Sequence, residues 1–192
     1  MVRAFLPEPV PAAVLDRVLH AGRRAPSAGH SQGWAFLVLE GAEQTAAYWD
    51  ATFPDLDARA AFSFPGLFDA PVLILPLSHA DAYVARYAEP DKAATGLGES
   101  ADAWPVPYWT VDTSFAAMSM LLAAVDEGLG ALFFGIFEGA DALLRSLGVP
   151  DGYAPIGTIA LGWPDEARDR PGLSSATRGR RGLEDVVHRG RW

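Results

Sequence analysis

Cysteine is missing from this chain altogether. That one absence excludes disulfides, iron–sulfur clusters, thiolate zinc sites and cysteine nucleophiles. Lysine is almost missing: Lys92 stands alone. Positive charge therefore falls on arginine, whose planar guanidinium suits paired contacts with carboxylates and phosphates. No apolar run approaches the roughly 20 residues that span a bilayer. The opening Met1-Val2-Arg3-Ala4-Phe5-Leu6-Pro7-Glu8-Pro9 lacks the apolar core of a secretion signal. No membrane partner is expected, and the expected compartment is the cytoplasm. The formal net charge of −9 disfavours nonspecific nucleic-acid binding, so no nucleic-acid partner is expected either. Metal-ligand spacing is also absent, since His79-Ala80-Asp81 has no further ligands near it. Gly128-Leu129-Gly130 follows a helical pattern instead of a strand, which makes it no dinucleotide fingerprint.

What is present fits a globular protein. Half of the 192 residues are hydrophobic and 20% are charged, enough for one domain over 1–192 with a substantial core. The pattern is mixed, an α+β fold. Residues 11–24 read as a helix, with Pro11 in its first turn and Val14, Leu15, Val18 and Leu19 on one face. Trp34–Leu39 is a short apolar run expected to form a buried strand closed by Gly41, and 42–51 suits a second helix. Pro71–Leu75 is strand-like. The segment 78–110 shows no clean period and reads as an irregular, lid-like excursion with a helix near 79–88. A long helix is expected from Asp112, as N-cap, to Glu127; its apolar interior predicts burial on every side, in a core or at a subunit interface. Ala131–Phe137 and Pro155–Leu161 suit strands, with a short helix over 140–147 between them. Charge is uneven. Residues 165–192 form a basic extension with seven arginines against five acids, which suggests one anionic ligand or a solvated tail.

Gly29-His30-Ser31-Gln32-Gly33 matches the G-x-S-x-G pattern of a serine-hydrolase elbow. That motif needs a strand before its serine and a helix after it. Here a helix precedes and a strand follows, although His79 and His188 lie downstream as possible partners.

The surrounding decapeptide Ala25-Pro26-Ser27-Ala28-Gly29-His30-Ser31-Gln32-Gly33-Trp34 resembles the A-P-S-x-x-N-x-Q-P-W signature of the FMN-dependent nitroreductase family. Further similar stretches follow in the family's order. They are Arg3-Ala4-Phe5, Asp69-Ala70-Pro71-Val72, the span from Asp112 to Gly130, Leu161-Gly162-Trp163-Pro164, and Arg180-Arg181-Gly182-Leu183-Glu184-Asp185-Val186-Val187. In this alignment Ser27 takes the family's fixed serine and Ser31 a variable position. The resemblance implies a central, mostly antiparallel sheet flanked by helices, in an intertwined homodimer with the long helix at its interface. It implies FMN held between the chains, NAD(P)H as co-substrate, and an electron-poor small-molecule acceptor (nitroaromatic, quinone or enone) reduced by a ping-pong mechanism. The flavin carries the chemistry, so no catalytic side chain and no metal are expected. The cofactor-binding residues it implies are Pro26, Ser27 and His30 beside the ring, and Phe133, Phe134, Gly135 and Ile136 along it. Arg3, Arg178, Arg180 and Arg181 would take the phosphate. Trp104, Tyr108 and Trp109 are the candidate acceptor wall.

The sequence also departs from the family pattern. His30 replaces the usual Asn and Gly33 the usual Pro. The first Arg of the family's opening motif has no counterpart, and no Lys is placed for the flavin pyrimidine, with Arg23 or Arg24 as candidate substitutes. Two alternatives stay open: a member of the fold that binds or sequesters FMN, or uses flavin otherwise, without nitroreductase turnover; and, remotely, a serine hydrolase using Ser31. FMN against a deazaflavin stays open too.

Overall fold

The computed structural model describes residues 1–170 and 177–192; the part of the basic extension at 171–176 lies outside the described residues. The chain enters helix α1 (Ala12–Arg23) from Pro11, which is the N-cap (φ −58°, ψ 135°) and not a first-turn residue as expected; its carbonyl accepts from the Val14 and Leu15 N–H groups at 2.9 and 3.1 Å. Strand β1 (Trp34–Glu40) leads directly into α2 (Gly41–Thr52), and a short α3 (Leu56–Ala60) follows. Asp55 caps α3 by accepting from the Ala58 N–H at 2.9 Å. Strand β2 (Val72–His79) runs four residues beyond the apolar stretch seen in the sequence and passes into α4 (Ala80–Tyr87). Helix α5 (Tyr108–Asp126), strand β3 (Gly130–Phe134), helix α6 (Ala140–Ser146) and strands β4 (Tyr153–Pro155) and β5 (Thr158–Gly162) complete the order.

The sheet has the order β1-β2-β5-β3, with β4 also paired to β2, and every pairing is antiparallel. Side chains on a strand alternate between faces, so each strand feeds two cores. Leu73, Leu75, Leu77, Leu132 and Ala160 face one core, shared with Tyr48 and Trp49 of α2 and Leu143 of α6. Val72, Ile74, Ala131, Ile159 and Leu161 face the other, shared with α1 and α5. Arg17 of α1 and Glu127 beyond α5 add a bidentate ion pair at 2.6 and 2.7 Å.

Four further expectations need correction. The strand foreseen over Pro155–Leu161 is split into β4 and β5. The backbone leaves the ladder at Gly157, at φ +149°, where an added Cβ would lie 2.5 Å from Phe133. The split faces Pro76, which has no N–H to donate and falls between the β2 residues paired with β5 and those paired with β4. The strand foreseen over Ala131–Phe137 ends at Phe134, because its partner β5 begins opposite at Thr158. Helix α5 begins at Tyr108, not after Asp112: Pro105 and Pro107 delimit its start, and Pro107 is the N-cap. Asp112 is thus inside the helix and caps nothing. Nor is α5 buried all round within the chain. Ala116, Ala117, Met120 and Ala124 pack inward, while Phe115, Met118, Leu122 and Val125 stay exposed, Leu122 at 60% and Val125 at 66%. Small residues on the inner face let α5 approach α1 and the sheet closely; large apolar residues remain on the outer face.

Candidate functional site

The end of β3 opens one candidate site. Beyond Phe134 the backbone turns away from the sheet, and Gly135–Glu138 form a wall of a cavity of about 490 Å³. The opposite wall comes from α2 and the segment after it: Trp49, Phe53, Phe62, Phe64 and Phe68. These rings hold one another. Trp49 stacks on Phe134 with centroids 5.7 Å apart and meets Phe68 edge-on at 4.9 Å. Tyr48 anchors the floor through its hydroxyl, 2.8 Å from Thr158 Oγ1, and burial raises its pKa above the usual phenol range. Such a volume with an aromatic lining suits a planar organic ligand.

The polar groups at this cavity are few and open. Arg3 lines it; its backbone N–H donates to Asp169 at 2.6 Å, while its guanidinium lies 5.2 Å over the Phe64 ring. No carboxylate pairs with that guanidinium among the described residues. The N–H groups of Ile136, Phe137 and Glu138 donate to no group among the described residues either. An unpaired cation and unclaimed N–H donors on an aromatic wall are what a planar ligand with carbonyl and ring-nitrogen acceptors needs.

The decapeptide builds a second locus. Ser27 is extended, and its Oγ accepts from the Gln32 N–H at 3.0 Å. Between them the backbone is left-handed at Gly29 (φ 60°), His30 (φ 58°) and Gln32 (φ 49°). Asn and His are among the side chains that tolerate this region, which accounts for His30 where the resembled signature has Asn. The loop is gripped from outside. Asp112 Oδ2 accepts from the Ala28 N–H at 2.7 Å and from the Tyr83 hydroxyl at 2.8 Å. Arg86 Nε donates to the Gly29 carbonyl at 2.9 Å and pairs with Asp91 at 2.8 Å. Burial, reinforced by the Asp112 acceptor, pushes the Tyr83 hydroxyl well above the usual phenol range.

The candidate residues therefore fall into separate groups. Arg3, Phe133, Phe134, Gly135 and Ile136 line the cavity. Pro26, Ser27 and His30 do not line it and belong to the loop between α1 and β1. Trp104 packs with Tyr83, Tyr87, Tyr108 and Trp109, and Trp109 also meets Tyr83; Trp104 is buried, and its Nε1 donates to the Leu97 carbonyl at 2.9 Å. Arg178, Arg180 and Arg181 are exposed in the tail, and Arg181 donates to the Asp185 carbonyl. Lys92 lies over Tyr87, and Arg23 and Arg24 lie beside His20. Both loci open at the same end of the sheet, where Trp34 pairs with Ser78 and Phe134 with Thr158, but they leave from its two outer strands, β1 and β3.

Ser31 has the wrong surroundings for a nucleophile. Its hydroxyl donates to the Ala28 carbonyl at 2.7 Å, His79 stacks on Tyr153, and His188 lies tilted against Trp192. Among the described residues no His, Asp or Glu cluster could hold a metal, and no helix is long and apolar enough to cross a membrane. Sequence reasoning missed the phenylalanines at 53, 62, 64 and 68, though their density was visible. It also missed Tyr83 and Asp112, whose roles depend on contacts across the chain.

Comparison with known proteins assigns the class. Residues 1–163 match the family model described as the nitroreductase family, and the chain belongs to that family. A protein from Archaeoglobus fulgidus, provisionally named an NADH dehydrogenase/NAD(P)H nitroreductase, is 26% identical over 181 residues, 93% of this chain and 85% of its own. The 5,6-dimethylbenzimidazole synthase of Rhodobacter capsulatus is 26% identical over 187 residues, 91% of this chain and 84% of its own. A protein from Exiguobacterium sibiricum, solved in complex with FMN, superposes with a TM-score of 0.72 at 18% identity, covering 97% of this chain and 91% of that one.

Proposed function

We propose that this protein is an FMN-dependent oxidoreductase that passes reducing equivalents from NAD(P)H to an electron-poor small molecule, a nitroaromatic, quinone or enone. One observation carries the reading: an aromatic cavity presents an unpaired Arg3 guanidinium and unclaimed N–H groups at Ile136–Glu138. This donor set fits the acceptor-rich edge of an isoalloxazine. FMN, when bound, supplies the reversible two-electron chemistry that no side chain here offers. The aromatic wall excludes water and orients flat molecules. Because Arg3 lines the aromatic cavity, this reading moves it from the phosphate, where the resemblance put it, to the ring, where a cation would stabilise the reduced flavin; Arg178, Arg180 and Arg181 remain the phosphate ligands in this reading.

The same reading makes the molecule a homodimer. The exposed apolar face of α5 carries Phe115, Met118, Leu122 and Val125 and suits an obligate interface. The loop carrying Ser27 and His30 from a second copy then closes over the cavity, which joins loci that one chain holds apart. Tyr108 and Trp109 come with that loop toward the acceptor. Nicotinamide and acceptor use one slot in turn, which predicts ping-pong kinetics.

The test is colour. Purified protein should be yellow and should bleach on anaerobic addition of NADH or NADPH. A relative named for a synthase activity instead of a nitroreductase one favours a second reading, a flavin-using member of the family without nitroreductase turnover; yellow protein that never bleaches would select it. Colourless protein that ignores added FMN defeats both. Arg180→Ala should weaken FMN binding by about 1–3 kcal/mol, the scale of a charge-assisted hydrogen bond, measured by fluorescence titration. Unchanged affinity would remove the tail from the phosphate site.

A further inference from the structure

Asp112 is 2% exposed, yet no cationic side chain pairs with it among the described residues. Burying a carboxylate without a counter-ion is costly unless its oxygens are well hydrogen-bonded. Both hydrogen bonds to its Oδ2 come from outside its own helix: the Ala28 N–H and the Tyr83 hydroxyl. At the fifth position of α5 the side chain caps nothing. Its position is explained by what it holds.

What it holds is a strained loop. Left-handed backbone at His30 and Gln32 costs free energy and persists only where the surroundings over-determine it. Those surroundings are tightly fitted. A Cβ on Gly29 would meet the Tyr87 ring at 2.7 Å, and one on Gly33 would meet the Tyr83 ring at 2.5 Å. Tyr83 thus fills the space beside Gly33, where the resembled signature has Pro, and its hydroxyl is tied to Asp112. Ala28, the residue whose N–H Asp112 accepts, is flanked by Ser27 and the left-handed Gly29.

We propose that Asp112 is a positioning residue of the flavin site: with Tyr83 it locks the left-handed turn at 28–32 and so presents Ser27 and His30 to the ring of FMN. The inference rests on the flavin reading above. It makes α4 and the first turns of α5 a rigid backing for the loop, and it explains a buried acid that electron transfer does not use.

The experiment uses the full-length chain with FMN as probe. Dissociation constant, visible circular dichroism of the bound flavin and thermal midpoint without flavin are compared across variants. Asp112→Ala should weaken FMN binding about tenfold, the scale of one lost charge-assisted hydrogen bond, and change the flavin dichroism. Asp112→Asn keeps an oxygen that accepts from both donors and should restore affinity and dichroism. Asp112→Ala protein that melts lower but binds FMN with wild-type affinity and dichroism would overturn the proposal. Should Asp112→Ala not fold, Tyr83→Phe keeps the ring and removes one donor: altered dichroism with weaker binding supports the proposal, and unchanged values overturn it. Wild-type protein that fails to bind FMN would instead remove the flavin reading, and this inference with it.

Discussion

The two loci at the same end of the sheet are built on opposite principles. The cavity beyond β3 is walled by carbon: Trp49, Phe62, Phe64 and Phe68 pack ring on ring, with few polar atoms. The loop after α1 is held by directional bonds from Asp112, Tyr83 and Arg86 to individual backbone atoms. Apolar packing is non-directional and tolerates exchange at constant volume. A hydrogen-bonded loop in left-handed backbone tolerates little. In the proposed site, substitution in the cavity would therefore change ligand preference, whereas the loop would have to keep its geometry to present the same atoms.

The largest expected break tests the proposed homodimer, which would bring the two loci together across copies. Leu122→Asp puts a charge into the apolar face of α5, at a cost of several kcal/mol once that face is covered. The chain should sediment as a monomer and lose FMN; a flavin-bound monomer would show that one chain makes the whole site. Next comes the cavity wall. Trp49→Ala removes a buried ring stacked on Phe134 and should lower unfolding free energy by about 3–5 kcal/mol, read by urea denaturation. The loop responds to an addition instead of a deletion. Gly33→Ala brings a Cβ to 2.5 Å from the Tyr83 ring and 2.9 Å from the His79 carbonyl, which should cost about 1–3 kcal/mol in the same assay. An equal or larger loss from Gly33→Ala than from Trp49→Ala would reverse the contrast.

The smallest effect is electrostatic. Arg86 holds Asp91 below the usual carboxylate range, as Arg168 does Asp165, chiefly by side-chain hydrogen bonds. The native state therefore binds fewer protons than the unfolded chain, so these pairs stabilise fully above the ordinary aspartate pKa of about 4. The contribution is lost as the pH falls through the depressed native values. Thermal midpoints should drop modestly on acidification below that point, and Arg86→Gln should flatten the drop. Both pairs are at the surface, so salt should reduce the effect.

Much of the fold was legible. The continuous apolar run Trp34–Leu39 and the 3.6-residue period of 11–24 specify their elements because burial dictates both pattern and conformation, although β1, expected to be buried, is only half-buried within the chain. Boundaries were less so. Asp112 has N-cap chemistry, yet Pro105 and Pro107 start the helix earlier, and only the packed structure shows the carboxylate turned toward Ala28. The strands at 131–137 and 155–161 were overlong because a strand ends where its partner does, and a partner's end is written elsewhere in the chain.

Local pattern by itself determined the mixture of helices and strands, the signature at 25–34 that carries the family resemblance, and the apolar excess of α5. Those are properties of neighbouring residues, set by short-range sterics and hydrophobic period. The tertiary structure alone decided that phenylalanines spread over 53–68 share one cavity with Arg3, that this cavity and the loop leave from opposite outer strands, and that a buried acid backs the loop. Such facts join residues far apart in the chain, and the free energy that joins them comes from packing and hydrogen bonds that exist only once the chain has folded.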